Sequence, residues 1–260
     1  EMGERLFDRR FRYASSVLVL LAELAWIALL LQATMFVLSF SLEIDPRAAL
    51  YVSTAVFVAY TILGGQYAVS FSDVAQFAVM FTGIVLIAMP FALISGAAWP
   101  DIEYSYPVNS KLGWSELFGW IFLMFLPHLV GPDIYSKILS AKNASHARRG
   151  AAMAGAAKVL VGLSVVFLGV LAFGRFPGLE SPGMALPSVV GWLLPAPLAA
   201  LVFAALVASM MSSADTCLLT GATTVSHDIA GPIFCLSEKQ ELIFSKTAVL
   251  FLGLGSLALA

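Results

Sequence analysis

A row of hydroxyl side chains interrupts one of the most apolar stretches of the chain. The segment ASMMSSADTCLLTGATTVSHD, residues 208–228, follows PLAALVFAALV, which has no polar side chain. On a helix at about 100° per residue, one arc holds a set of serines and threonines. They are Ser209, Ser212, Ser213, Thr216, Thr220 and Thr223. Because hydroxyl and carbonyl oxygens suit hard cations, Ser209, Ser212 and Ser213 are candidates for a cation site. Bonds within their own helix or close helix packing are the alternative for these serines. For Thr220 and Thr223 we expect a hydrogen bond back to the preceding turn instead.

Two carboxylates accompany these hydroxyls. Asp215 lies roughly 110° from the centre of the hydroxyl stripe, so we predict that it faces another helix or the cytoplasmic vestibule. Together with Asp73 and Ser72, it is a candidate for a second ion site or an exit path. Asp73 lies early in a second apolar segment, where Ser72, Asp73 and Gln76 share one helical face. A carboxylate inside a membrane span is a functional candidate, but an Asp in a first turn can also stabilise the helix amino terminus. The residues alone leave both interpretations open for Asp73.

Prolines and a glycine interrupt a third apolar segment, WSELFGWIFLMFLPHLVGPDIYSKILSA, residues 114–141. Proline removes a backbone donor and clashes with the preceding turn, so this helix is predicted to kink or unwind. Discontinuous helices in transporters expose carbonyl groups to ions and substrates. We therefore predict a substrate-binding or gating region at Pro127, His128, Gly131 and Pro132. A packed proline kink without a ligand is the alternative.

The composition is that of a membrane protein. Hydrophobic residues make up 60% of the chain, charged residues make up only 12%, and the mean hydropathy is +0.92. At about 20 residues per crossing, the sequence predicts an all-α protein with seven spans. These are residues 14–41, 47–64, 67–98, 115–141, 146–175, 196–228 and 240–260. A short amphipathic helix over 186–195 is expected at the membrane surface.

Lysines and arginines predict the orientation of these spans. Ten of them fall on alternate connections, at Arg5, Arg9, Arg10, Arg12, Lys137, Lys142, Arg148, Arg149, Lys239 and Lys246, whereas Arg47, Lys111 and Arg175 fall on the other side. By the positive-inside rule, the amino terminus is cytoplasmic. We expect residues 1–260 to be a single transmembrane domain, truncated at both ends, of a multi-pass protein in the cell membrane.

Several function classes are disfavoured by the sequence. It has no HExxH, GxSxG, Walker or CxxC motif, and its three histidines are scattered. No basic tract suggests a nucleic-acid partner. We therefore expect no enzymatic activity and no bound cofactor.

Three ordered blocks resemble the sodium:solute symporter family, which includes sodium/glucose and sodium/proline cotransporters. They are YTILGGQYAVSFSDVAQF at 60–77, GPDIYSKILSAKNASHARRGA at 131–151 and ALVASMMSSADTCLLTGATTVSHDI at 205–229. The resemblance implies a leucine-transporter-like fold of inverted five-helix repeats, with this chain supplying core helices three to nine.

The resemblance also implies roles for particular residues. Ser212 and Ser213 match Na⁺ ligands of the family, and Ser209 matches a position that donates a backbone carbonyl. Asp73 matches the acid of a Thr-Asp pair that is linked to a further Na⁺ site or to the ion's exit path, although Ser72 stands here in place of the threonine. Ser136 and Lys137 replace the Gln-Arg pair of many sugar-transporting relatives, which weakens the inference of a sugar substrate.

The function implied is Na⁺-coupled import of a small organic solute across the lipid bilayer by alternating access, with Na⁺ as the coupling ion. Two alternatives remain open at this stage. One is a proton-coupled carrier with Asp73 or Asp215 as the proton acceptor, and the other is a symporter-like sensory module of a signalling protein.

Overall fold

The computed structural model describes residues 7–96, 100 and 112–260, except for the side chains of residues 66–68, 127–130, 133 and 136. Every regular element in this part of the chain is a helix. The main helices are α1 (Arg9–Leu42), α2 (Pro46–Gly65), α3 (Val69–Ile94), α4 (Trp114–Val130), α5 (Pro132–Leu139), α6 (Ala144–Arg175), α7 (Ala185–Leu193), α8 (Ala196–Phe234) and α9 (Glu238–Leu259). The prediction of an all-α membrane bundle is confirmed.

Six of the described helices are long and apolar enough to cross a bilayer, namely α1, α2, α3, α6, α8 and α9. The predicted fourth span differs, because its helix ends at Val130 and a second helix begins at Pro132. Gly131 lies between them outside helical structure. The predicted interruption is therefore a real division of this span into α4 and α5.

Polar capping residues determine where several spans begin. The Asp8 side chain accepts a hydrogen bond from the Phe11 amide at 2.7 Å, and α1 begins at the next residue, Arg9. Asn143 accepts from the His146 amide at 3.0 Å at the start of α6. Such caps satisfy amide groups that have no partner within the helix.

The turn between α2 and α3 depends on Gly65. This residue has φ = 59° and ψ = −171°, while the residues on either side continue as helix. A side chain disfavours positive φ, so glycine is the residue that permits this change of direction. Of the two adjacent glycines Gly64 and Gly65, it is therefore Gly65 that the turn between the second and third spans requires.

Helix α8 lies at the centre of the bundle and packs against α1, α2, α3 and α9. One buried cluster joins α8 to α1, α2 and α9, with Leu218, Ile27, Phe57 and Val249 as members. A second cluster joins the first half of α8 to α3, α6 and α7. Both halves of α8 are therefore held by apolar packing, and the polar residues lie on a rigid support.

The short helix α7 overlaps residues 186–195, for which an amphipathic helix is predicted, and its apolar face packs against other helices. Val189 and Val190 have no exposed surface, and they pack in the cluster that contains Leu168 of α6 and Val202 of α8. The apolar face of the helix is thus satisfied by protein instead of lipid.

Two spans contain a π-helical segment, Thr82–Ala88 in α3 and Thr224–Ala230 in α8. In the first, a Cβ added to Gly83 would lie 2.8 Å from the Cβ of Ala205, so the glycine allows α3 and α8 to approach closely. At the second, Arg12 of α1 forms an ion pair with Asp228 at 3.2 Å and donates to the His227 carbonyl at 2.9 Å.

Candidate ion-binding site

The central contact of the candidate site joins α8 to α3. The Ser212 hydroxyl donates a hydrogen bond to Oδ1 of Asp73, with an oxygen-to-oxygen distance of 2.5 Å. The two residues are 139 positions apart in the chain. Because the hydroxyl uses its only hydrogen in this bond, its lone pairs remain available to a cation. Asp73 thus fixes the direction of the Ser212 hydroxyl.

Ser209 and Ser213 lie on the same helix as Ser212 and are half-buried. Neither hydroxyl makes a hydrogen bond to another residue within the described part of the chain. Four residues of helix separate them by about 6 Å along the axis and leave them close to one face. The stripe therefore offers oxygen atoms at two levels, and those of Ser209 and Ser213 are not consumed by the helix backbone.

The threonines and Ser72 behave differently from these serines. Thr216 donates to the Ser212 carbonyl at 3.0 Å, and Thr224 donates to the Thr220 carbonyl at 2.9 Å. The bond to the preceding turn that we expect of Thr220 and Thr223 is therefore made by Thr216 and Thr224 instead, and the expectation for Thr220 and Thr223 is wrong. The Ser72 hydroxyl also bonds to the backbone of its own helix, donating to the Val69 carbonyl at 2.9 Å. Its hydroxyl is engaged within α3.

A second carboxylate, Asp215, is completely buried between α8 and α2. Its Oδ1 accepts a hydrogen bond from the Thr61 hydroxyl at 2.8 Å. Thr61 lies 2.8 Å from the Phe57 carbonyl as well, so two acceptors share one hydroxyl hydrogen. Oδ2 of Asp215 is buried and has no partner among the described residues. Of the two positions expected for this side chain, the structure shows the one facing another helix.

A lysine reaches Asp73 from α5. The Lys137 ammonium group lies 3.1 Å from Oδ2 of Asp73 and forms an ion pair with it. The lysine side chain is 54% exposed and the aspartate side chain is 20% exposed. Asp73 is therefore neither a simple first-turn residue facing water nor an isolated buried charge. It connects α3, α5 and α8.

One turn beyond Asp73, the amide oxygen of Gln76 is buried and has no partner among the described residues. Gln76 belongs to the polar face that the sequence predicts for α3. An amide oxygen is a suitable ligand for a hard cation. It thus adds a further oxygen near the level of the carboxylate.

The predicted substrate or gating region contains the break between α4 and α5. Pro132 has no amide hydrogen, so the carbonyl four residues earlier lacks its usual helical donor. The Tyr135 amide donates to the Gly131 carbonyl at a long distance of 3.4 Å. The side chains of Pro127 and His128 lie outside the described residues. The backbone at Gly131 and Pro132 is the part of this region that can be described.

A cavity of about 250 Å³ lies between α1, α8 and the segment that leads into α7. Its lining is mainly apolar, and Gln32 contributes its main polar group. The lining residues are Leu29, Gln32, Ala33, Phe36, Val37, Gly183, Leu186, Pro187, Leu206 and Met210. Leu206 and Met210 belong to α8, so the helix that carries the hydroxyl stripe also lines this cavity.

The pairings of Thr61 with Asp215 and of Lys137 with Asp73 are absent from the sequence-based predictions. Thr61 is one of several hydroxyl residues in α2, and Lys137 lies 64 positions from Asp73. No local pattern identifies either partner, because helical periodicity gives directions on one helix and not the register between two helices.

Comparison with solved structures supports the predicted arrangement. The chain is similar to the substrate-bound outward-open state of a Na⁺-coupled sialic acid symporter, with a TM-score of 0.80 and 20% identity. The alignment covers 99% of this chain and 59% of that one. This likeness confirms the leucine-transporter-like fold.

Sequence comparison identifies several transporters as relatives. The human high affinity choline transporter 1 is 24% identical across 99% of this chain and 48% of its own length. The Caenorhabditis elegans high-affinity choline transporter 1 is 29% identical across 90% and 45%. For the human sodium/myo-inositol cotransporter 2, the identity is 28% across 84% and 39%. The chain thus spans about half the length of the choline transporters.

The model of the sodium:solute symporter family matches residues 2–260, which is nearly the whole chain. Together with the apolar helices, this match identifies a multi-pass integral membrane protein. The chain belongs to the sodium:solute symporter family.

Proposed function

We propose that these helices form a single transmembrane domain of a Na⁺-coupled symporter, which imports a small organic solute across the cell membrane by alternating access. The observation that carries this proposal is the contact between Ser212 and Asp73, with the hydroxyls of Ser209 and Ser213 unused on the same helix. In this proposal Na⁺ is the coupling ion, no other cofactor takes part, and the protein has no enzymatic activity.

Ser209, Ser212 and Ser213 form the principal Na⁺ site in this proposal. Neutral hydroxyl and carbonyl oxygens replace part of the water shell of Na⁺. Asp73, which is half-buried and bonded to Ser212, supplies a negative charge beside them. It therefore attracts the ion and marks a second site or the exit path towards the cytoplasm. Asp215 does not bind the ion in this proposal. Its hydrogen bond with Thr61 holds α8 against α2 and so supports the site.

Coupling of this kind supplies enough free energy for accumulation. One Na⁺ moving through about 100 mV gains roughly 2.3 kcal/mol. A tenfold Na⁺ gradient adds about 1.4 kcal/mol. At roughly 1.4 kcal/mol for each factor of ten, the total supports a solute gradient of several hundredfold for each Na⁺.

The break at Gly131 and the cavity between α1, α7 and α8 are two candidate places for binding of the solute. The carbonyl of residue 128, which lacks its usual helical donor because Pro132 has no amide hydrogen, can receive a polar group of the solute, with Pro127 and Gly131 in the same region. The cavity of about 250 Å³ beside Met210 fits a small molecule with apolar surface. None of its described lining residues is charged, which favours a solute whose own charge is met elsewhere.

The test is Na⁺-dependent transport by the natural protein in liposomes at a clamped membrane potential. Choline, myo-inositol and sialic acid serve as the first solutes tested. The double variant Ser212→Ala, Ser213→Ala is expected to raise the Na⁺ concentration for half-maximal uptake by about tenfold or more, because two oxygen ligands are removed. Unchanged Na⁺ dependence would reject the site.

Proton coupling is the second candidate, and Asp215 is the observation that favours it. Its Oδ2 is buried without a partner among the described residues, and a neutral carboxyl group would place no charge there. In the same liposomes, uptake that ignores Na⁺ and follows an imposed pH gradient would support this alternative and exclude Na⁺ coupling.

A further inference from the structure

The two oxygen atoms of Asp73 have different partners. Oδ1 accepts the Ser212 hydroxyl at 2.5 Å, and Oδ2 lies 3.1 Å from the Lys137 ammonium group. A positive charge from α5 therefore already occupies the carboxylate that lies next to the proposed Na⁺ ligands. The ammonium group and Na⁺ both carry one positive charge and both bind carboxylate oxygen.

From this arrangement we propose that Lys137 is a resident cation that competes with Na⁺ for Asp73. This inference rests on the Na⁺ route proposed above. When Na⁺ is absent, the ammonium group neutralises Asp73. When Na⁺ moves from the serines towards Asp73, the lysine must withdraw, because two positive charges beside one carboxylate repel each other.

The position of Lys137 suits such an exchange. It lies in the last turn of α5, the short helix that follows the break at Gly131, and α5 packs against α8. Its side chain is more than half exposed, so the ammonium group can leave Asp73 and be solvated at little cost. A lysine also has a flexible four-carbon stem and no fork that would bind a carboxylate at two points.

Competition has a functional consequence for release of the ion. An unpaired Asp73 would retain Na⁺, whereas an aspartate that regains its lysine lets Na⁺ leave. Lys137 thus favours the release of Na⁺. It also limits how many Na⁺ ions the serines and Asp73 bind at the same time. A merely structural role makes a different prediction, since an ion pair of this exposure contributes little to stability and would leave Na⁺ binding unchanged.

The experiment measures binding of radioactive Na⁺ to the purified natural protein, together with Na⁺ efflux from liposomes. Lys137→Gln is expected to lower the Na⁺ concentration for half-saturation by about two- to fivefold, since it removes a competing ion pair that is partly solvated. Efflux of Na⁺ should become slower in the same variant. Lys142→Gln is the matched control, because Lys142 is an exposed lysine shortly after α5.

A second variant tests whether the effect passes through Asp73. Adding Asp73→Asn to Lys137→Gln should abolish the gain in Na⁺ binding. The inference is overturned if Lys137→Gln binds Na⁺ like the wild type, if Lys142→Gln produces the same gain, or if the gain survives Asp73→Asn. The serine double variant separates this inference from the proposed function. If that variant weakens Na⁺ binding while Lys137→Gln does not strengthen it, only the role of Lys137 fails.

Discussion

The hydrogen bond between Thr61 and Asp215 is predicted to be a major polar contribution to the stability of the bundle. Thr61 is 2% exposed and Asp215 is completely buried, so water does not replace a lost donor. Thr61→Val keeps the shape of the side chain and leaves both oxygens of Asp215 without a partner among the described residues. The expected loss in the free energy of unfolding is about 2–3 kcal/mol, since the bond joins a hydroxyl to a buried carboxyl group.

Thr54→Val is the matched control for this change. Thr54 is also a buried threonine of α2, but its hydroxyl donates only to the Leu50 carbonyl at 2.8 Å. That carbonyl belongs to the helix backbone, so we expect a loss below about 1 kcal/mol. Thr61→Ser retains the donor and should lie near the wild type. Thr61→Val combined with Asp215→Leu removes both polar groups and should be less unstable than Thr61→Val alone.

Thermal unfolding of the purified protein in detergent measures these differences. A thiol-reactive dye reports the opening of α8 through Cys217, which is buried two positions after Asp215. The exposed Cys235 is replaced by serine in every variant so that it does not react first. By the relation for soluble domains of this size, 2–3 kcal/mol corresponds to a fall in Tm of about 5–10 °C. Equal Tm values for Thr61→Val and Thr54→Val would refute the energetic role of the Thr61–Asp215 bond.

Two further predictions concern ion coupling and packing. Asp73→Asn should impair Na⁺-coupled uptake more than Asp215→Asn, because of these two aspartates only Asp73 contacts a proposed Na⁺ ligand. Uptake is measured at a fixed membrane potential, and a larger loss for Asp215→Asn would assign the ion to Asp215. Gly253→Val should lower the free energy of unfolding by about 1–3 kcal/mol or more, since even an added Cβ would clash with Val58 at 2.2 Å. Gly169→Val is its control, because nothing lies within 4 Å of an added Cβ there, and equal thermal stability of the two variants would contradict the packing argument.

The positions of the spans were largely predictable because hydrophobic length is a local property of the sequence. The fifth span was expected at residues 146–175 and is observed at Ala144–Arg175. The cap at Asn143 accounts for its start two residues earlier. The division of the fourth span at Gly131 was also predictable, since the prolines and the glycine act on the backbone of their own helix.

The partners of the polar side chains could not be predicted in this way. A helical wheel places Asp215 away from the serine stripe, but it does not identify Thr61 as the residue opposite. That pairing depends on how α2 and α8 are aligned, which follows from the packing of many apolar side chains. The same holds for Lys137, whose distance from Asp73 depends on where α5 restarts after the break. The location of the polar face was predictable, whereas its interhelical bonds were not.

The π-helical segment Thr224–Ala230 affects how α8 tolerates changes in length. A π turn accommodates one residue more than an α turn, so this segment carries a local insertion relative to regular helix. Deleting a single residue here would restore α-helical winding, and the side chains on either side of the segment would keep nearly their present directions because the change in length is absorbed within it. The serines upstream and the chain after Ala230 would therefore keep their orientation. A change in the length of this segment can thus arise during evolution without disturbing the half of α8 that carries the serines.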